Sequence, residues 1–207
     1  MRHAAPLVLL LALGCAGTHA AADAHARAAL AQGETGAAEQ HLGEELLRPD
    51  APSREARLEL LRLRAHALAL LGKPEERIPV LEEALALAPE DPWLHYALGV
   101  ALVETGDTAQ ACASFGRAVA LDPLHVKALQ WRAEAHLTRN EYAAAASDLT
   151  LALEALAALG ADRVAAWGTA DDAASLARAL LARRATALHA VGEHARAEED
   201  LARARAL

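Results

Sequence analysis

Ten histidines and two cysteines are the side chains of this 207-residue chain best suited to nucleophilic, acid–base or metal chemistry. Their spacing argues against it. His95, His125 and His136 are near in sequence but fall at unlike positions of the pattern described below. No histidine pair has the H-E-x-x-H spacing that puts two imidazoles and a general base on one helix face. His189 and His194 flank Gly192-Glu193. They could chelate a metal, but they read as solvent-exposed turn residues. The chain has no CxxC, no phosphate-binding Gly-rich loop and no nucleophile elbow. The expectation is a non-enzyme with no cofactor and no metal.

The two cysteines separate by position. Met1-Arg2-His3 is a short basic start, Leu7 to Leu13 is an apolar run, and Gly14, Cys15, Ala16 and Gly17 are small. That order is a secretory signal pattern, and the run is too short to span a bilayer stably. Leu11-Ala12-Leu13-Gly14-Cys15 resembles a bacterial lipobox, with Gly14 before the Cys and Ala12, not Leu, three before it. The resemblance implies a lipidated Cys15 and, with Ala16 next, sorting to the outer membrane. Several acyl chains on one residue would anchor it firmly, each buried CH₂ contributing about 0.8 kcal/mol. Cleavage after Thr18-His19-Ala20, giving a soluble periplasmic or secreted protein, is the competing reading. Cys112, among Ala111, Ala113 and Phe115, then has no disulfide partner and reads as a small core hydrophobe.

One interval dominates the sequence. Gly72, Gly106 and Asn140 recur every 34 residues, as do Ala65, Gly99 and Ala133, and Leu81, Phe115 and Leu149. Ala84, Ala118 and Ala152 share that interval, as do Pro89 and Pro123. Hydrophobic residues make up 54% of the chain but aromatics only 3%, so the apolar content is mainly the helix formers Ala and Leu. The period fits one helix–turn–helix unit. Gly106 suits a positive-φ turn. Asp107 can cap the next helix, with Gln110 in capping-box position. Asp91-Pro92 reads as an N-cap followed by proline at the first helical position. Gly99 and Ala111 are small where two helices cross, beside Phe115 and Leu102.

These residues resemble the tetratricopeptide repeat family, specifically over Leu58 to Leu156 and again over Arg178 to Leu207. The implied fold is all-α, a right-handed superhelical solenoid of hairpins in one extended domain. The expected organisation is a signal segment at 1–20, a degenerate hairpin and linker at 21–57, three units at 58–157, an inserted loop and helix start at 158–177, and a last unit at 178–207. Within the linker lies Pro49-Asp50-Ala51-Pro52-Ser53, and within the insertion the stretch Ala161 to Ala170. Asp171 and Asp172 are expected caps. In the unit Leu58 to Asp91, Arg77 replaces the small residue and is expected to snorkel outwards. Pro79 is expected to kink or delay its helix.

In this family the first helix of each unit lines a concave groove that holds a protein or peptide. The matching positions are Glu59, Arg62 and His66, then Trp93, Tyr96 and Val100, then Lys127, Gln130 and Glu134. Trp93 and Tyr96 either anchor a partner or pack on the neighbouring hairpin, and Trp131 is expected to pack inwards. Arg62 and Lys127 alone match the basic clamp of chaperone-tail-binding members, so that clamp is not expected. The formal net charge of −8 argues against nucleic acid as partner. The resemblances together imply an envelope scaffold or adaptor. The alternatives are a lipoprotein that assembles a pilus or outer-membrane complex, and a soluble periplasmic peptide-binding accessory to an enzyme.

Overall fold

In a computed structural model, residues 24–48, 53–159 and 173–207 are described, and the described secondary structure is helical throughout. The signal segment with Cys15, most of the Pro49–Ser53 linker, the 161–170 loop and the proposed caps Asp171 and Asp172 lie outside these residues.

The helices are α1 (24–31), α2 (Thr35–Leu46), α3 (Arg54–Leu70), α4 (Pro74–Leu87), α5 (Pro92–Glu104), α6 (Thr108–Leu121), α7 (Val126–Thr138), α8 (Tyr142–Leu159), α9 (Ala173–Ala190) and α10 (His194–Ala206). They fall into two compact units, the first ending at Glu90 and the second spanning Asp91–Leu207.

The hairpin turns have one cause. Gly33, Gly72, Gly106 and Gly192 all have positive φ, between 65° and 89°, and Asn140 has φ 61°. Glycine tolerates this region without penalty, and asparagine is among the few other residues that visit it. Several helix starts are capped by side chains, whereas Glu34 and Glu193, after Gly33 and Gly192, make no side-chain cap. The Ser53 hydroxyl accepts from the Ala56 N–H, and Asp91 accepts from the N–H groups of Trp93 and Leu94. Asp107 accepts from the Gln110 N–H, while Gln110 Nε2 donates to its second carboxylate oxygen at 2.6 Å. The expected capping pair is present, with the glutamine donating to the aspartate side chain.

Packing runs from neighbour to neighbour. In the first unit α2 lies on α3 and α3 on α4; in the second, α5 to α10 pack in succession. Phe115 is fully buried against Gly99, where an added Cβ would stand 2.5–2.9 Å from its ring. A core of Val126, Leu129 and Ala133 from α7, Leu149, Ala152 and Leu156 from α8, and Leu176 and Leu180 from α9 continues the second unit. The 18-residue α8 is long and apolar enough to cross a membrane. Here it is packed between α7 and α9.

In α4 one expectation fails, and the delay expected of Pro79 is not seen. Arg77 is only 7% exposed and does not snorkel outwards. Its position, equivalent to Ala111, faces the α3–α4 crossing, so the side chain is carried inwards by register. Pro79 does not delay the helix, which is helical from Pro74 onwards. Only the bond from position 79 to the Glu75 carbonyl is forfeited, within the first turns, where the ladder is just beginning.

Candidate functional site

First-helix side chains form a separate face in each unit. In the first unit, Glu59 and Arg62 on α3 are half-buried and His66 is exposed. Arg62 donates to Glu59 at 2.5 Å, and Arg27 on α1 reaches the other Glu59 oxygen at 3.4 Å. This face is a charge ladder that neutralises itself.

In the second unit, α5 contributes Trp93, Tyr96 and Val100, and α7 contributes Lys127, Gln130 and Glu134. Trp93 is 40% exposed, whereas the other five are half-buried. Tyr96 lies 6.1 Å from Phe115 and 4.9 Å from His125 between ring centroids. Trp131 stacks on Phe115 at 6.4 Å and 20°. The two readings of Trp93 and Tyr96 therefore divide. Tyr96 packs against the Phe115 and His125 rings, and Trp93 is left 40% exposed. Trp131 also packs against Phe115, as the inward reading expects. Glu134 is joined to Arg183 on α9 at 2.9 Å. The Gln130 Oε1 atom is buried without a hydrogen-bond partner.

His125 has two tasks there. Its Nδ1 accepts from the Ala128 N–H at 3.2 Å and so caps α7. Burial pushes its pKa below the usual histidine value, against the opposing pull of Asp122. Both observations describe a neutral ring.

A second recurring feature was not anticipated from the sequence. Arg132 on α7 grips Asp148 on α8 through two bonds of 2.8 and 2.6 Å, and Arg184 on α9 grips Asp200 on α10 at 2.7 and 2.6 Å. Both carboxylates are almost fully buried, at 5% and 2% exposure. Each arginine also leans on the preceding hairpin. Arg132 would lie 3.8 Å from a Cβ at Gly116, and Arg184 donates to Thr150 Oγ1 at 3.2 Å. Arg64, at the same register in α3, lies against Gly43 and pairs with Glu39 of α2. In α5 and α6 the corresponding residues are Leu98 and Ser114. The signal was present as Arg and Asp 16 residues apart in two units. The 52-residue gap between Arg132 and Arg184, 18 longer than one period, concealed it.

Cys112 is half-buried and free. Burial raises its thiol pKa, opposed by Arg139. It sits beside this polar network, which differs from the apolar core setting expected. His136 bonds Glu141 at 2.6 Å, and that bond is the main cause holding the Glu141 carboxyl below the usual range. Among the described residues no three His, Cys, Asp or Glu side chains converge as a metal site. The arrangement supplies surfaces and joints.

Comparison with known proteins agrees with this geometry. Family models described as Tetratricopeptide repeat match residues 58–101 and 94–123. Cellulose synthase operon protein C of Komagataeibacter sucrofermentans is 36% identical over 86 residues, which is 42% of this chain and 6% of that protein. The chain thus spans a small fraction of this relative's length. Among solved structures, MamA from Desulfovibrio magneticus RS-1 is similar with TM-score 0.72 at 17% identity, covering 91% of this chain and 94% of that one. YrrB, described as a TPR protein with an unusual peptide-binding site, gives TM-score 0.56 at 19% identity over 63% of this chain and 64% of that one. Residues 58–123 therefore carry tetratricopeptide repeats, and the described fold is all-α, built of stacked helical hairpins like those of the solved relatives.

Proposed function

We propose that this chain is an interaction scaffold of the bacterial envelope, holding an extended or helical segment of a protein partner on its first-helix faces. Solenoids of stacked hairpins offer such faces as binding surfaces. The observation that carries the reading is Trp93, a large indole left 40% exposed beside the half-buried Tyr96, Val100, Lys127 and Gln130. An exposed indole on a first-helix face is the kind of side chain that anchors partners. The Glu59–Arg62 face of the first unit is self-paired and contributes orientation more than affinity.

The envelope assignment rests on the Met1–Ala20 signal pattern. The match to a cellulose synthase operon protein agrees with it. A lipid on Cys15 favours an assembly lipoprotein, and cleavage after Ala20 favours a soluble accessory to an envelope enzyme.

The test is co-purification from membrane and soluble fractions with wild-type and Trp93→Ala protein. Loss of the captured partner at unchanged helicity is the expected result. Retention of the partner overturns the assignment of the face. Mass spectrometry of the mature amino terminus decides the anchor: an acylated peptide starting at Cys15 supports the lipoprotein, and an unmodified start near Ala21 removes it.

A further inference from the structure

The turn between α9 and α10 holds an arrangement the scaffold does not use. His189 lies in the last turn of α9 and His194 begins α10, and their Nδ1 atoms stand 3.0 Å apart. The ring centroids are 5.2 Å apart, and both residues are exposed. Gly192, at φ 85°, reverses the chain between them. Two imidazole nitrogens at this distance need a proton or a cation between them, because facing lone pairs repel and facing N–H groups clash.

We propose that His189 and His194 form a two-histidine chelate for a divalent transition-metal ion of tetragonal preference, copper(II) or nickel(II). A metal held at about 2.0–2.1 Å by each nitrogen places them about 2.9 Å apart at a right angle and about 3.4 Å apart at the tetrahedral angle. The observed 3.0 Å matches the right angle. Imidazole suits copper and nickel, and copper binds tightest of the first-row divalent ions. The outer partner is also in place. His189 Nε2 lies 3.5 Å from Glu198 Oε1, four residues along α10 from His194. A carboxylate there favours the tautomer with the proton on Nε2, which leaves the His189 Nδ1 lone pair for the metal. His194 must then carry its proton on Nε2, towards solvent, and its Nδ1 completes the chelate. Both rings bind neutral: the proton between the two Nδ1 atoms moves to the outer Nε2 of its own ring as the ion takes its place, so no net proton is released. Water fills the remaining positions. The chelate bridges the end of one helix and the start of the next, so an ion there clamps the last hairpin shut.

The test uses the full chain carrying His3→Ala, which removes the amino-terminal histidine as a competing chelator. Titration with copper(II) is expected to load one equivalent, with an electron paramagnetic resonance spectrum showing two equatorial imidazole nitrogens. His189→Ala or His194→Ala is expected to weaken binding tenfold or more, and Glu198→Gln to weaken it less. Copper is expected to raise Tm in the parent and in neither histidine variant. His66→Ala, at an exposed histidine elsewhere, is expected to leave binding unchanged. No saturable equivalent, or an equivalent with the same affinity and spectrum in His189→Ala or His194→Ala, overturns the site. Both histidines are solvent-exposed, and circular dichroism of each variant checks that the fold is retained.

Discussion

Gly99 and Gly106 are seven positions apart and are glycine for opposite reasons. At Gly99 the backbone is helical and an added Cβ would meet the Phe115 ring at 2.5 Å. At Gly106 an added Cβ would meet nothing within 4 Å, and the constraint is φ 89°. Helix propensity alone favours Gly99→Ala by about 1 kcal/mol. Overpacking opposes it, and we expect a net loss of about 1–3 kcal/mol in urea unfolding, with Gly99→Leu worse. Phe115→Leu should recover part of the Gly99→Ala loss, since it shortens the clashing group. Gly106→Ala should also cost about 1–2 kcal/mol, from left-handed strain, and Phe115→Leu should do nothing for it. Equal rescue at both positions would refute the distinction.

His125 carries the pH response at this scale. Its pKa is lowered by burial, so the unfolded chain binds a proton more readily than the folded one. The sign follows: stability is full above about pH 6.5, the usual value, and falls as pH drops from there towards the lowered folded value. Protonation also removes the Nδ1 lone pair that accepts from Ala128. Tm should fall between pH 7.5 and 5.5, and His125→Ser, which keeps a capping oxygen, should flatten that fall. An undiminished slope in His125→Ser would assign the response elsewhere.

Among the elements, the hairpins are held by two kinds of joint, and only one was readable in advance. The turns were legible because a positive φ admits very few residue types, which puts Gly72, Gly106 and Asn140 at a fixed interval. The Arg132–Asp148 and Arg184–Asp200 joints were not, because a charged pair in sequence looks like a solvated helix face. Burial of Asp148 and Asp200 is a tertiary fact. Arg77 misled for the same reason: its register decides its environment, against the usual preference of its type. Trp93 and Tyr96 were legible as a pair on one face, but their different exposure depends on Phe115 and His125 beneath. Asp148→Ala should therefore destabilise the second unit by about 3 kcal/mol, the low end for a buried pair, because Arg132 keeps some contact with water. Arg132→Met with Asp148→Leu should recover most of that loss. A deficit in the double variant as large as in Asp148→Ala would mean that the pair contributes net attraction beyond mutual neutralisation.

At the scale of the whole molecule, the order of packing sets how far damage travels. Each helix from α5 to α10 packs chiefly on its neighbours in sequence, and α5 has only a slight further contact with α7. Stability in such a stack is close to a sum of hairpin terms and nearest-neighbour terms, so opening is local. Asp200 lies on α10, at the end of the series, and its joint reaches back through Arg184 to Thr150 on α8 and no further. Asp200→Ala should therefore raise amide exchange in α10 and α9, raise it slightly in α8, and leave α5 and α6 at wild-type protection. Asp148→Ala, in the middle of the same unit, should raise exchange on both sides, from α7 to α9. The contrast is the informative measurement. A globally cooperative body would show the same loss everywhere for both variants. If the Asp200→Ala effect stays at one end, Trp93 on α5 remains in its native setting, and partner capture through it should survive loosening of the last hairpin.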